Sequence, residues 1–372
     1  MTSQRKVTAV PQVEIPTVSS AELRPIVEGL SSLFGEPPVI RALARSGLSR
    51  AATQQHPVQV ARAMLLRFIE DCAREAGEPL LGAILGSHIS FQDFGPAGRY
   101  VASANTLTRA LTRLSKVVKY HETGSRIDYF PGSNVFRVVY HPPTPRALGN
   151  RHQCDGFAAQ LVNLVRRYEG PRWKPRKLML PAAEGSRLSK LEAFFGTKIA
   201  PSDKVVEMFG SANLNRSLAD TSRTDVAAPS WRELRQLIAS RPSESYAGTV
   251  QELMKPIMRD GYFRLDQICA RIGVEQRTLQ RRLAHEGQSF TALQSNVRRE
   301  WAEQLLAGST LTQEEIGRRL GFSSSQHFIR AFTCWTGTSP GTYVSIRRGT
   351  RSSCVDSFLP ELPVPWEQFG QA

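Results

Sequence analysis

Apolar residues recur at three- and four-residue steps in several stretches, the spacing that keeps side chains on one face of an α-helix. Met64, Leu65, Phe68, Ile69 and Cys72 form one such stripe. Leu107, Leu111, Leu114 and Val118 form a second, and Phe157, Leu161, Leu164 and Val165 a third. Between the last two the period drops to two. Ile127 and Tyr129, then Val135, Arg137 and Val139, flank Pro131-Gly132-Ser133-Asn134, which predicts a β-hairpin. Lys177-Leu178-Met179-Leu180 before Pro181 predicts a strand, Leu188–Phe195 a short helix and Val205–Phe209 another strand. Residues 21–215 therefore read as an α+β domain. Residues 1–20, polar and holding Pro11 and Pro16, read as a flexible arm.

Periodicity fades over 216–247, which reads as a linker. Ser230-Trp231-Arg232-Glu233 resembles a capping box one residue out of register, and 240–248 reads as a hinge. From Thr249 to Tyr343 nearly everything is helical, broken at Gly261, Gly273, Gly287, Gly308, Gly321 and Gly337. The tail, 348–372, carries Pro360, Pro363 and Pro365 beside Trp366 and reads as extended.

A single pattern occurs twice within this helical stretch. Two short helices sharing a core need apolar anchors on each, a small residue at the crossing and a permissive turn. Ile268 and Ile272 anchor the first helix, Cys269 is small, Gly273 supplies the turn and Val274 plugs the angle. Leu279 and Leu283 anchor the second helix. That leaves Gln276, Arg277, Gln280 and Arg281 on its outer face. About 48 residues on, Ile316, Gly317, Leu320, Gly321 and Phe322 repeat the first helix and turn. Phe328 and Phe332 take the anchor places after a one-residue delay, and Ser324, Ser325, Gln326, His327 and Arg330 face out. Arg pairs twice with guanine, Gln with adenine, and Ser with either, so both outer faces suit the edges of DNA bases. A helix over roughly Phe290–Leu306, with Leu293, Val297, Trp301 and Leu305 four apart, joins the units. At ~1.5 Å per residue it could set two recognition helices near one DNA turn apart, about 34 Å.

Charge changes this picture less than its size suggests. The 372 residues carry a net charge of +15. Residues 1–245 hold 33 Lys+Arg against 21 Asp+Glu, a net of +12, and 246–372 hold 15 against 12, a net of +3. The densest run, Arg166, Arg167, Arg172, Lys174, Arg176 and Lys177, fits a solvated loop, an anionic-ligand rim or a DNA-backbone contact. Five scattered Cys without a C-x-x-C pair argue against a disulfide scaffold or zinc finger and for a reducing compartment. No apolar run approaches a membrane span, and the first residues lack a secretory core. There is no phosphate loop, dinucleotide fingerprint or Gly-x-Ser-x-Gly. His141, His152 and Cys154 fit no zinc spacing, and His121 beside Glu122 reads as a loop histidine. We expect no catalytic residue, no metal and no cofactor.

The helical portion resembles the AraC/XylS family of bacterial transcription regulators over 248–347. The motifs are Arg298-x-x-x-Ala302-x-x-Leu305-Leu306, Ile316-Gly317-x-x-Leu320-Gly321-Phe322, Phe328-x-x-x-Phe332 and Thr336-Gly337-Thr338-Ser339-Pro340-x-x-Tyr343. The units fall at about 265–284 and 313–333, with Ile268, Gly273, Leu279, Leu283, Ile316, Gly321, Phe328, Phe332 and Pro340 as the structural core. The resemblance assigns base-facing positions to Arg277, Gln280 and Arg281, and to Ser325, Gln326, His327 and Arg330. In place of the family's usual Ser/Pro opening of the first recognition helix stands Glu275-Gln276.

Residues 21–215 resemble the family's arabinose-binding-like effector domain. The matching pieces are Leu43-x-x-Ser46-Gly47-Leu48, Phe68, Gly86 before Asp93-Phe94-Gly95, Trp173-x-Pro175 and Phe194-Phe195-Gly196. The resemblance implies a sensor and dimerisation domain without fixing the ligand as arabinose. It implies a cytoplasmic, nucleoid-associated homodimer on double-stranded promoter or operator DNA. Such a dimer would answer a small-molecule effector and work with RNA polymerase, as an activator rather than a repressor. Two other readings stay open: a constitutive DNA-binding regulator whose front domain only dimerises, and a DNA-binding protein with an enzymatic front domain.

Overall fold

The computed structural model describes residues 15–48, 59–181, 183–216, 218, 226–239, 243, 245–259 and 264–351. The chain divides into two compact units. One comprises residues up to Leu253 with Cys269–Glu275, the other Met254–Ile268 and the residues from Gln276 onward.

The first unit opens with a short ribbon, β1 (Thr17–Ser19) paired antiparallel with β2 (Gln59–Ala61). The helices α1 (Ser20–Phe34), α2 (Glu36–Ser46) and α3 (Arg62–Ala76) accompany it. β1 corrects the arm expected over 1–20. Thr17 and Val18 are fully buried, and the Thr17 hydroxyl donates to Gln59 Oε1 at 2.9 Å. Residues 1–14 lie outside the described residues. Next come α4 (Leu81–His88), α5 (Gly95–Ala102) and α6 (Leu107–His121). The expected hairpin follows as β3 (Arg126–Pro131) and β4 (Val135–His141), then α7 (Asn150–Glu169), β5 (Lys177–Pro181), α8 (Gly185–Phe195), β6 (Ile199–Ser202) and β7 (Val206–Ser211).

Five strands form one sheet in the order β3-β4-β7-β5-β6, antiparallel except for the β5–β6 pair. Phe136, Val138 and Tyr140 of β4 join the sheet's main core, and Val139 is buried on the other face. That is one residue out of phase with the alternating set Val135, Arg137 and Val139. Valine is apolar on both faces of a strand, so spacing alone did not choose between them. That opposite face holds Arg137 against Glu207 at 2.6 Å and over the ring of Phe130 at 4.8 Å. α4, α5, α6 and α7 share the sheet's core.

α4 and α7 cross at glycines. A Cβ on Gly82 would lie 1.9 Å from the His152 carbonyl oxygen, and one on Gly86 2.2 Å from that of Gly156. No side chain fits there, so the two backbones meet directly.

α9 (Trp231–Ala239) lies inside the stretch expected to be a linker. Its capping box is in register: Ser230 N donates to Glu233 Oε2 at 2.8 Å and Glu233 N to Ser230 Oγ at 3.3 Å. An Arg99–Glu233 ion pair ties it to α5. The hinge positions 240–242 and 244, the break at Gly261 and the tail 352–372 lie outside the described residues.

The helical portion runs α10 (Tyr246–Arg259), α11 (Leu265–Ile272), α12 (Gln276–His285), α13 (Phe290–Gly308), α14 (Gln313–Arg319), α15 (Ser325–Thr336) and α16 (Pro340–Arg351). The last helix runs past 347, where the tail was expected to begin.

Candidate nucleic-acid interface

The second helix-turn-helix unit is built around two aromatic anchors. Phe328 and Phe332, one turn apart on α15, are both fully buried beside Ile316, Leu320 and Ala302. Their rings lie 5.8 Å apart, and Phe332 meets Tyr343 edge-on at 5.3 Å. Gly317 lets α14 approach α15: a Cβ there would lie 3.1 Å from that of Phe328. α14 starts at a true capping box. Thr312 N donates to Glu315 Oε2 at 2.8 Å and Glu315 N to Thr312 Oγ1 at 3.3 Å. These bonds from Thr312 hold the Glu315 carboxyl below its ordinary range.

The turn is set by Gly321 at φ 77°, a left-handed conformation that side chains resist. Phe322 then folds in against Phe328 at 5.9 Å and Trp335 at 6.0 Å. The Arg298 guanidinium from α13 stacks over the same Phe322 ring at 5.2 Å. The Arg298-x-x-x-Ala302-x-x-Leu305-Leu306 motif is thus the docking face of the connecting helix. It stacks on the turn through Arg298 and enters the core through Ala302 and the leucines.

In the first helix-turn-helix Ile268, Leu279 and Leu283 are fully buried, and Gly273 occupies the turn at φ 73°. α12 begins three residues after Gly273 and α15 four after Gly321, which is the one-residue delay read from the sequence. Pro340 is buried at the start of α16.

Gln276, Arg277, Gln280 and Arg281 are all exposed on α12, around the buried Leu279 and Leu283. Glu275, also exposed, immediately precedes the helix. On α15, Gln326, His327 and Arg330 are exposed and Ser325 is half-buried. Ser324 does local work as well: it caps α15, its hydroxyl accepting from His327 N at 3.3 Å. The His327 ring is positioned by Ser323, Oγ to Nδ1 at 2.8 Å. Ser323 was not among the expected site residues. The signal for it was the Ser323-Ser324-Ser325 run before a helix. Each outer face thus offers amide and guanidinium groups and, on α15, an imidazole, all able to reach hydrogen-bonding edges.

The first unit of the chain contains a cavity of about 110 Å³, walled mainly by aliphatic and aromatic side chains from α4, α5, α6 and α7. One wall is polar. There Glu122, 4% exposed, accepts from Tyr140 OH at 2.8 Å, from Gln153 Nε2 at 3.2 Å, from Ser125 and from Arg62 Nε. Arg62 is itself 1% exposed and also donates to Thr144 and to Asn150 Oδ1 at 3.0 Å. Burial opposes the Glu122 charge, but Arg62 and these donors outweigh it and hold the carboxyl below its usual range. His121 is not in a loop: it ends α6, half-buried, its ring edge-on to Phe94 at 5.7 Å. Of the three residues weighed for a metal, His141 pairs with Asp128 Oδ2 at 3.0 Å, and His152 and Cys154 are buried in α7.

Family models match both regions of the chain. One, described as the arabinose-binding domain of AraC transcription regulators, covers residues 38–217. A helix-turn-helix domain model covers 268–346. The chain belongs to the AraC family of transcription regulators. The curated relatives of this AraC-family chain include the HTH-type transcriptional regulator VqsM of Pseudomonas aeruginosa, 24% identical over 273 residues, 69% of this chain and 81% of that protein. The ornithine utilization regulator of the same organism is 24% identical over 272 residues, 72% of this chain and 79% of its own. An uncharacterised regulator of Mycobacterium tuberculosis is 39% identical over 82 residues, so the match spans 23% of that protein. Among solved structures, the regulator CdpR of Pseudomonas aeruginosa aligns at TM-score 0.38 and 21% identity, over 87% of this chain and 98% of its own. These relatives and domains are transcription regulators, not enzymes. Among the described residues, no helix is long and apolar enough to cross a membrane.

Proposed function

We propose that this AraC-family chain is a sequence-specific, ligand-responsive regulator of transcription that reads two successive major grooves of double-stranded DNA per subunit. The observation that carries this reading is the pair of donor-rich helices, α12 and α15. Each stands on two buried anchors, and they are joined through α13. Arg277, Gln280 and Arg281 read one groove, and Gln326, His327 and Arg330 the next. Ser324 and Ser325 act at the helix start, where backbone N–H groups suit a phosphate. The protein works as a homodimer on promoter or operator DNA and contacts RNA polymerase as an activator. It does so in the cytoplasm at the nucleoid. An effector entering the cavity of the front unit shifts the population of the DNA-competent form.

The test is footprinting of the full chain on genomic DNA, followed by competition with scrambled sequence. Two protected major grooves about one turn, roughly 34 Å, apart are expected per half-site. Protection of a single groove, or equal binding to scrambled DNA at moderate salt, would refute the two-unit reading.

A further inference from the structure

The sheet face turned away from the main core carries a continuous row of side chains across four strands. Phe130 of β3 stands directly opposite Arg137 of β4, Arg137 opposite Phe209 of β7, and Phe209 opposite Lys177 of β5. Residues directly opposite one another share a face, so ring and cation alternate along the row. The Arg137 guanidinium lies over Phe130 at 4.8 Å and over Phe209 at 5.8 Å, and Lys177 Nζ lies over Phe209 at 5.9 Å. Phe130 is 49% exposed, and Val135, on the same face of β4, is 46% exposed. Arg137 and Lys177 are exposed as well, and Phe209 is half-buried. Exposed apolar side chains gathered on one face and rimmed by charge mark a surface of association.

An alternating row with an even number of members is the complement of its own reverse. Turned over about a two-fold axis along the strands, a second copy lays Lys177, Phe209, Arg137 and Phe130 against Phe130, Arg137, Phe209 and Lys177. Every ring then faces a cation and every cation a ring. The neighbouring row is Asp128, Val139, Glu207 and Met179. Its reverse sets Asp128 against Met179 and Val139 against Glu207, so neither row opposes like charges. The sheet's edges are less suited to a partner. β3 ends at Pro131 and β6 contains Pro201, and a proline has no N–H to offer an added strand.

We propose that this sheet face is where two copies of the chain meet, stacked face to face about a two-fold axis along the strands. Phe130 packs against the partner's Lys177, and Arg137 against the partner's Phe209. This step rests on the homodimer reading above and names its interface. Sheets stacked in this way lie about 10 Å apart, a gap that Phe, Arg and Lys side chains fill from both sides.

The test measures the oligomeric state of the full chain by sedimentation equilibrium. Phe130→Lys sets a cation against the partner's Lys177 at two symmetric places and raises the dimer Kd by about ten-fold or more. Phe130→Lys/Lys177→Phe sets ring against cation again and returns the Kd to within about three-fold of the parent chain. Both variants place the same new cation beside Arg137 within the chain, so the recovery reports the contact between copies. Cross-linking gives a second readout, in a background with Cys334→Ser and Cys354→Ser. Phe130→Cys and Lys177→Cys chains, made separately and mixed, are joined into a covalent dimer by a bismaleimide spanning about 10 Å, the gap between the sheets. Neither chain alone is joined, because its two cysteines lie three strands and one sheet gap apart, roughly 17 Å. A chain that stays monomeric at every concentration overturns both this interface and the homodimer reading. A dimer that ignores Phe130→Lys, or whose mixed cysteine chains are not joined, overturns the interface alone and leaves this face to another partner. A dimer lost with Phe130→Lys and not regained with Lys177→Phe overturns the two-fold pairing.

Discussion

Glu122→Ala isolates a fully buried ion pair of the front unit. The substitution removes the carboxylate that pairs with Arg62, a guanidinium only 1% exposed. It also strands the donors of Ser125, Tyr140 and Gln153. Thr144 and Asn150 still accept from Arg62, but neither carries charge. Breaking one side of a buried ion pair costs about 3–5 kcal/mol, because the remaining charge stays desolvated. In a domain of this size ~1 kcal/mol moves the midpoint by 2–4 °C, so the expected drop is roughly 6–20 °C. Two units make a single bulk melting curve ambiguous. Hydrogen exchange in α6 and α7, measured on the full chain, reports the front unit directly. The double variant Arg62→Met/Glu122→Leu should recover most of the loss, since apolar residues of similar volume replace buried pairs at little cost. A single substitution costing under about 1 kcal/mol would mean that water reaches Arg62. A double variant no better than Glu122→Ala would mean that the stranded donors, not the charge, carry the cost. Either result refutes the argument.

Arg281→Ala is expected to weaken specific DNA binding by about 1–3 kcal/mol while leaving non-specific binding nearly unchanged; equal losses on cognate and scrambled DNA would remove Arg281 from base reading. Phe328→Ala should destabilise the second helix-turn-helix by about 3–5 kcal/mol, read by exchange in α14 and α15, since the ring is fully buried between Phe322 and Phe332. Gly86→Ala drives a Cβ to 2.2 Å from the Gly156 carbonyl oxygen and should destabilise the α4–α7 crossing by about 1–3 kcal/mol or more; wild-type exchange there would contradict the backbone contact. Acid titration has a worked sign. Burial pushes His121 down to about 4, and burial with Arg151 and Arg187 pushes His152 to about 3. Below pH 6.5 the unfolded chain binds protons there that the folded chain refuses, so each histidine lowers stability by up to ~1.4 kcal/mol per pH unit as pH falls. Asp155, raised by burial to about 7 against the Arg187 charge, holds its proton when folded and works oppositely down to 3.8. These three groups leave a net loss of about one histidine from pH 6.5 to 5, to which His141, also pushed down by burial, adds, and Asp155→Asn should steepen it; urea midpoints rising on acidification would reverse the assignment.

The sequence carried the helical portion almost whole and the front unit only in pieces. A helix-turn-helix is local: anchors, turn glycine and outer face sit within twenty residues, so Ile316, Gly321, Phe328 and Phe332 announce themselves by spacing. The front unit is held by contacts far apart in sequence. Arg62 meets Glu122 and Asn150, and Gly82 meets His152, with nothing local to advertise either pair. Glu122 was visible as a neighbour of a histidine and not as the partner of an arginine sixty residues earlier. The pieces of the effector-domain resemblance turn out to be structural punctuation. Ser46 Oγ donates to Leu43 O at 2.8 Å where Gly47, at φ 75°, ends α2. Trp173 Nε1 donates to Ser211 O at 2.7 Å, and Gly196, at φ 63°, ends α8. Such residues mark a fold, which is why they matched without indicating the ligand.

The same distinction settles what the charge excess means. Much of the front unit's basic complement is committed within the unit. Arg41 and Arg45 meet Glu75, Arg137 meets Glu207, Arg151 meets Glu70, buried Arg62 meets Glu122, and half-buried Arg187 meets Asp155. What stands exposed and close-set is Arg172, Lys174, Arg176 and Lys177, where the chain leaves α7 and enters β5. A patch of this kind raises attraction to any polyanion but selects none, because Lys and Arg at a surface meet phosphates without regard to sequence. The proposed DNA contacts need no such excess. Arg277 and Arg281 stand exposed one helical turn apart on a face fixed by the buried Leu279 and Leu283, and the proposed base contacts rest on that placement rather than on the net charge of +3 over 246–372. The proposed specificity therefore rests on two buried pairs of anchors rather than on the net charge of +15.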